Sequence, residues 1–130
     1  MMIESADEFI RLRDSSDPAE YERAAHDQAP EDVWLDVIQR FPKYRFWVAQ
    51  NKTVPISILQ ILATDADERV RWMVARKRKL PSDLVTLLAS DSSESVRAAT
   101  ARHRKASPEV LTALSDDPSP IVREIAMRRM

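Results

Sequence analysis

Glycine and cysteine are both absent from this chain of 130 residues. Without glycine, the phosphate-cradling loops of P-loop and dinucleotide-binding folds have no residue for their fixed turn positions. Without cysteine there is no disulfide, no thiolate nucleophile, no cysteine-ligated zinc and no iron–sulfur cluster. Histidine is scarce too: His26 and His103 are the two present, too few for a histidine-rich metal site, so neither a metal nor a cofactor is expected. The first ten residues carry three acids and no basic segment, and no apolar run approaches the roughly 20 residues that span a bilayer. A soluble, cytoplasmic protein without membrane contact is the expectation.

What is present has a globular balance: 44% hydrophobic and 32% charged residues, with a net charge of −1. A domain near this size buries roughly two thirds of the surface its unfolded chain exposes, enough for a core without staples. Eight prolines and no glycine suit helices that end at proline-bearing turns, whereas hairpin-rich β folds use glycine at their turns.

One unit recurs along the chain. Val70-Arg71, Val96-Arg97 and Val122-Arg123 are each 26 residues apart, and Tyr44-Arg45 extends the series backwards. Asp65, Asp91 and Asp117 stand six residues before those arginines, with Gln39 in that place before Arg45. Pro55 and Pro81 share the period, and Ser107-Pro108 continues it. Four copies result, at 30–54, 55–80, 81–106 and 107–130, within one repeat domain spanning 1–130.

Apolar residues inside a copy have helical spacing: Ile58, Leu59, Ile61 and Leu62, then Leu84, Val85, Leu87 and Leu88, then Val110, Leu111, Ala113 and Leu114. An acidic, serine-containing turn leads to a second helix with a buried face of Val70, Met73, Val74 and the Lys77 stem, and equivalently Val96, Ala99 and Thr100. A basic run closes it and the next proline stops it. Neither helix is long enough to stand alone, and stacking equivalent units covers both apolar stripes. The small column Ala49, Ala75, Ala101 allows close approach, and Met127 interrupts it. Residues 1–29 fit the repeat poorly: Phe9, Ile10 and Leu12, then Asp17-Pro18 and Tyr21 to His26, predict a helix, a turn and a helix serving as a divergent N-terminal cap.

The string from Leu87 to Ala99, with its leucines, Asp91 in a turn, then Val96-Arg97 and alanines, resembles the HEAT-repeat pattern. The short period, the proline opening the first helix and the Ala-Arg-basic-basic run before the next proline are similar to the leucine-rich repeat variant family. That resemblance covers about 30–130. It implies an all-α, right-handed α-solenoid of short helix pairs, some of the helices being 3₁₀. The amino-terminal cysteine-ligated cluster known in that family does not carry over to a chain without cysteine. Such repeats serve unrelated binding roles, so function has to be argued from the site.

Three features are candidates. The first is the set Asp65/Arg71, Asp91/Arg97 and Asp117/Arg123, expected to form a structural ladder in which each aspartate caps a helix and pairs with an arginine of its own or the adjacent unit. Removing one partner of a part-buried pair should cost about 3–5 kcal/mol, against less than about 1 for an exposed one. Arg45, with Gln39 in the aspartate position, is the member expected to serve outside the ladder.

The second is a basic ridge at the second helices' ends: Arg76, Lys77, Arg78 and Lys79, then Arg102, His103, Arg104 and Lys105, then Arg128 and Arg129. It is either a solvated edge complementing the helix dipoles or a surface for an acidic partner. Residues 1–40 hold 4 basic and 11 acidic residues, net −7, and residues 41–130 hold 16 and 10, net +6. A nucleic-acid-binding domain is expected to have a pI above about 9, and the value here is about 6.1.

The third feature is aromatic. All eight aromatic residues fall between positions 9 and 72. Tyr44 and Trp47 take core columns of the repeat. Phe46 and Trp72 follow the ladder arginines, where later copies have Ala98 and Glu124, so they are either an exposed interface flanked by Arg45 and Arg76 or core folded over a neighbour.

Catalysis has little support, because His26 beside Asp27 has no serine or second carboxylate at a diagnostic spacing. Helical-repeat DNA glycosylases are similar in architecture, but they are larger, and a five-unit arc is not expected to wrap a duplex. The resulting expectation is a non-enzymatic module, an adaptor, scaffold or immunity-like inhibitor. Its partner is a protein with an acidic or mixed-charge surface, and nucleic acid along the ridge is the alternative.

Overall fold

A computed structural model describes residues 1–130 and is all-helical: ten α-helices, one 3₁₀ turn and no strand. No helix is long and apolar enough to cross a membrane. The chain divides into two compact units, residues 1–62 and 63–130.

The first unit contains α1 (Ala6–Asp14), α2 (Pro18–His26), α3 (Glu31–Arg40), the 3₁₀ turn Pro42–Tyr44, α4 (Arg45–Gln50) and α5 (Ile56–Leu62). The helix, turn and helix expected of residues 1–29 are α1 and α2, capped by the Ser5 and Asp17 side chains. Phe9, Leu12, Trp34, Val37, Val48 and Ile58 are fully buried, and Phe9 meets Trp34 edge-on at 5.2 Å. Buried Asn51 ties this unit's turns together. Its Nδ2 donates to the Ala24 and Asp27 carbonyls at 2.8 and 3.0 Å, and its Oδ1 accepts from the Thr53 amide at 2.8 Å.

The second unit contains α6 (Glu68–Ala75), α7 (Ser82–Leu88), α8 (Glu94–Arg102), α9 (Pro108–Leu114) and α10 (Pro120–Arg128). Helix α8 packs against α6 and α10, with α7 and α9 alongside. A core cluster of Ala98, Ala101, Val110, Leu111, Leu114, Val122 and Ala126 joins its carboxy-terminal half. Ala75 and Ala101 are buried, as small residues at a helix contact should be, whereas Met127 is exposed.

Three sequence expectations are corrected. Ile61, Leu87 and Ala113 are exposed, while their neighbours Ile58, Leu59, Leu62, Leu84, Val85, Leu88, Val110, Leu111 and Leu114 are buried. A seven-residue helix has one inward arc of about 100°, which positions i, i+1 and i+4 fill and i+3 leaves. Helices α6, α8 and α10 are α-helical, at eight or nine residues each, and 3₁₀ geometry is confined to Pro42–Tyr44. Capped helices of two turns or more have no need of the tighter winding, which suits short pieces.

The third correction concerns the aspartates. The N-caps of α6, α8 and α10 are Asp67, Ser93 and Ser119. Asp65, Asp91 and Asp117 act two residues earlier, accepting from the Asp67, Ser93 and Ser119 amides at 3.0, 2.8 and 2.9 Å. No residue has a positive φ, so every turn is closed without the conformation that favours glycine.

The arginines then cross from one turn to the next. Arg71 Nε and Nη2 grip the Asp91 carboxylate at 2.8 and 3.1 Å, while its Nη1 donates to the Asp65 carbonyl at 2.7 Å. Arg97 repeats this with Asp117 at 2.8 and 3.2 Å and with the Asp91 carbonyl at 2.9 Å. Arg123 Nη1 donates to the Asp117 carbonyl at 2.8 Å. The Asp117 side chain is 5% exposed. Burial pushes its pKa up, but the hydrogen bonds from Arg97 and the Ser119 amide, with the charges of Arg97 and Arg123, outweigh this and hold it below the usual carboxylate value.

Arg97→Met should therefore strand a part-buried carboxylate and lower stability by about 3 kcal/mol in urea melts. A lowered carboxyl pKa favours the folded state fully above about pH 4 and loses that contribution as pH falls through the folded value. The stability difference between wild type and Asp117→Asn should accordingly shrink between pH 6 and pH 3, and a constant difference would count against the pair.

Candidate anion-binding cleft

Charge divides between the units. Residues 1–62 hold 7 basic and 11 acidic residues, net −4, and residues 63–130 hold 13 and 10, net +3. The basic excess of the second unit gathers at the carboxy-terminal ends of α6 and α8. There a cleft of about 660 Å³ is lined by Trp72, Ala75, Arg76, Arg78, Ala99, Arg102, His103 and Arg104.

Matched lengths explain why these side chains meet. Arg76 and Arg102 each stand nine residues beyond their helix N-caps, Asp67 and Ser93, and Arg78 and Arg104 stand eleven beyond. His103 fastens the two ends together. It is 7% exposed, with Nε2 2.7 Å from the Lys77 carbonyl and Nδ1 accepting the Lys105 amide at 3.1 Å. That arrangement assigns the neutral tautomer carrying its proton on Nε2. His103 is thus a buried tie, not a member of the exposed ridge, because two backbone groups need it.

Arg129 does the equivalent for α8, donating from Nη1 to the Ala101 and His103 carbonyls at 2.8 and 2.6 Å. Asn51, Lys77, His103 and Arg129 share the 26-residue spacing, and all four side chains carry N–H donors. That periodic signal was present in the sequence, hidden inside what reads as a basic run.

The cleft floor is Ala75 and Ala99, both buried. Trp72 is half-buried, with the Arg76 guanidinium stacked 4.6 Å from its ring centroid. Arg78, Arg102 and Arg104 are exposed, and none of them forms an ion pair within the chain. No acidic residue lines the cleft. Of the other ridge residues, Lys79 is exposed and Lys77 half-buried, and neither lines it.

No protein-family model matches this sequence, and no curated protein or solved structure matches it.

Arg45 and Phe46 belong to the first unit. Arg45 Nε donates to the Ile38 carbonyl at 2.9 Å, so this arginine is held by backbone as the ladder arginines are. Phe46 is half-buried, edge-on to Trp47 at 4.9 Å. Ala98, in the same column, is buried, so that column is not uniformly solvent-facing. Tyr44, expected in the core, is half-buried in the 3₁₀ turn and donates its hydroxyl proton to Asp14 Oδ2 at 2.6 Å. That bond, burial and the Asp14 charge raise the phenol's pKa. Trp47 is also half-buried, under the Arg13 guanidinium 3.6 Å from its ring centroid. Asp27, adjacent to His26, accepts from Arg23 Nε at 2.6 Å.

His103→Phe should leave the Lys77 carbonyl and the Lys105 amide without their partner and cost about 1–3 kcal/mol. Lys79→Ala on the open surface should stay within about 0.5 kcal/mol. Chemical denaturation of the two variants beside wild type checks this ordering.

Proposed function

We propose that this chain is a non-enzymatic protein-interaction module of the cytoplasm, a right-handed solenoid of 26-residue helix pairs akin to the leucine-rich repeat variant and HEAT-like families. On this reading the second unit takes an acidic segment of another protein in the Trp72–arginine cleft. The supporting observation is the lining: four arginines, one tryptophan, an alanine floor and no carboxylate. Arginine forks pair bidentately with carboxylates, and an aromatic beside arginine is the composition of interface hot spots. Such a module acts as an adaptor or scaffold, or as an inhibitor that occludes its partner.

The arginines are available because other donors hold the fold. Arg71 and Arg97 are used by the aspartates, and His103 and Arg129 by the helix-end carbonyls. A nucleic-acid reading draws on the same arginines and on base stacking over Trp72. The chain's net charge of −1 and the acidic first unit work against it, since a polyanion binder gains from a strongly basic field.

Titration with an oligoglutamate peptide and with single-stranded DNA of equal length separates the two. The peptide should bind wild type, and Arg78→Glu/Arg104→Glu should weaken it at least tenfold while the melting temperature holds. Trp72→Ser should weaken it less. DNA binding tighter than peptide binding, with affinity falling steeply in salt, would replace this reading with the nucleic-acid one.

A further inference from the structure

The arginines of the cleft stand in two pairs. Arg76 and Arg78 follow α6, and Arg102 and Arg104 occupy the matching places on and after α8. The 2.7 Å bond between His103 and the Lys77 carbonyl holds the two helix ends side by side at these residues. The separation of corresponding arginines is therefore set by helix packing, about 8–10 Å between neighbouring axes. A ligand that engages both pairs must present its negative groups at that spacing.

Among polypeptide conformations, an extended β segment places same-face side chains about 7 Å apart, which falls short. A polyproline II segment places residues i and i+3 on one edge about 9 Å apart, inside the range. An α-helix reaches about 10.5 Å at i and i+7, but a helix 10–12 Å across fills roughly 800–1,100 Å³ over that length. The cleft offers about 660 Å³. The slim, extended left-handed segment fits both spacing and volume. Trp72 and the Ala75–Ala99 floor supply the flat apolar surface on which proline rings pack in aromatic-lined grooves.

We infer that the partner segment is a proline-rich, acidic stretch in the polyproline II conformation, with carboxylates at every third residue, lying across the ends of α6 and α8. This rests on the proposed acidic-segment reading and narrows it to one conformation and one register. Trp72 packs against proline, and the Arg76/Arg102 and Arg78/Arg104 pairs each receive successive carboxylates. The 26-residue spacing of the arginines is thereby read out as a three-residue spacing in the ligand.

The full chain is titrated by fluorescence anisotropy with three labelled peptides of equal length and proline content: repeats of Glu-Pro-Pro, an isomer with its glutamates contiguous, and a Ser-Pro-Pro control. The Glu-Pro-Pro peptide should bind at least tenfold more tightly than the isomer, and the control should not bind. Trp72→Ser should reduce that preference, and Arg102→Glu/Arg104→Glu should abolish binding with the fold retained by circular dichroism. Equal binding of the two acidic isomers would overturn the register while leaving an acidic-segment site. Failure of both acidic peptides to bind, with or without binding of single-stranded DNA, would overturn the acidic-segment reading as well.

Discussion

The Arg97 guanidinium carries most of the second unit's logic in one group. Two of its nitrogens hold the Asp117 carboxylate and a third holds the Asp91 carbonyl, so one planar cation joins the turn before α8 to the turn before α10. A chain without glycine has to close those turns with side chains. Asp117 does so by accepting the Ser119 amide, and the arginine then neutralises the carboxylate that closure brings out of water. Turn geometry and turn-to-turn spacing are thus set by the same atoms. Lysine in place of Arg97 would supply charge without the fork that reaches a carboxylate and a carbonyl together.

The opposite ends of the helices face a different problem, carbonyls with no intrahelical donor. His103 and Arg129 meet it by reaching across to the neighbouring helix end. These ties differ from the aspartate–arginine ladder in chemistry: a neutral imidazole and a single guanidinium nitrogen act on backbone oxygens, with no carboxylate involved. Acidic residues are therefore unnecessary at that edge, and the remaining arginines there keep their charge uncompensated by the chain.

The helical elements of the fold were legible because hydrophobic spacing, proline placement and the recurring Val-Arg pairs all report on the same helices. The ladder residues were legible for the same reason, since a role that every copy performs leaves an identical residue in every copy. Their detailed geometry was not. Whether Asp91 caps α8 or closes the turn before it depends on two residues of chain direction, and Ser93 is an equally good cap on composition. His103 was misplaced because a histidine between two arginines resembles its neighbours in charge. Its burial depends on the chain leaving α8 in an extended conformation, φ −70° and ψ 133°, which turns the imidazole inward. Phe46 and Trp72, equivalent by position in the repeat, have different surroundings: Phe46 meets an adjacent ring, whereas Trp72 meets a guanidinium one helical turn later.

A carboxy-terminal helix edge is an unpromising place to bind an anion, because the aligned peptide dipoles end there in partial negative charge. The second unit resolves this in two steps. The exposed carbonyls are first occupied by donors from the neighbouring segment, which removes the local source of repulsion. Arginines placed on the last turn and just beyond it then set the sign of the field, and the stacking of Arg76 on Trp72 restricts one of them before any ligand arrives. Recognition at this edge depends on the interlock beneath it: the donors that hold α6, α8 and α10 in register also hold the guanidiniums at a fixed separation. Loosening His103 would blur that spacing without removing any of the charge.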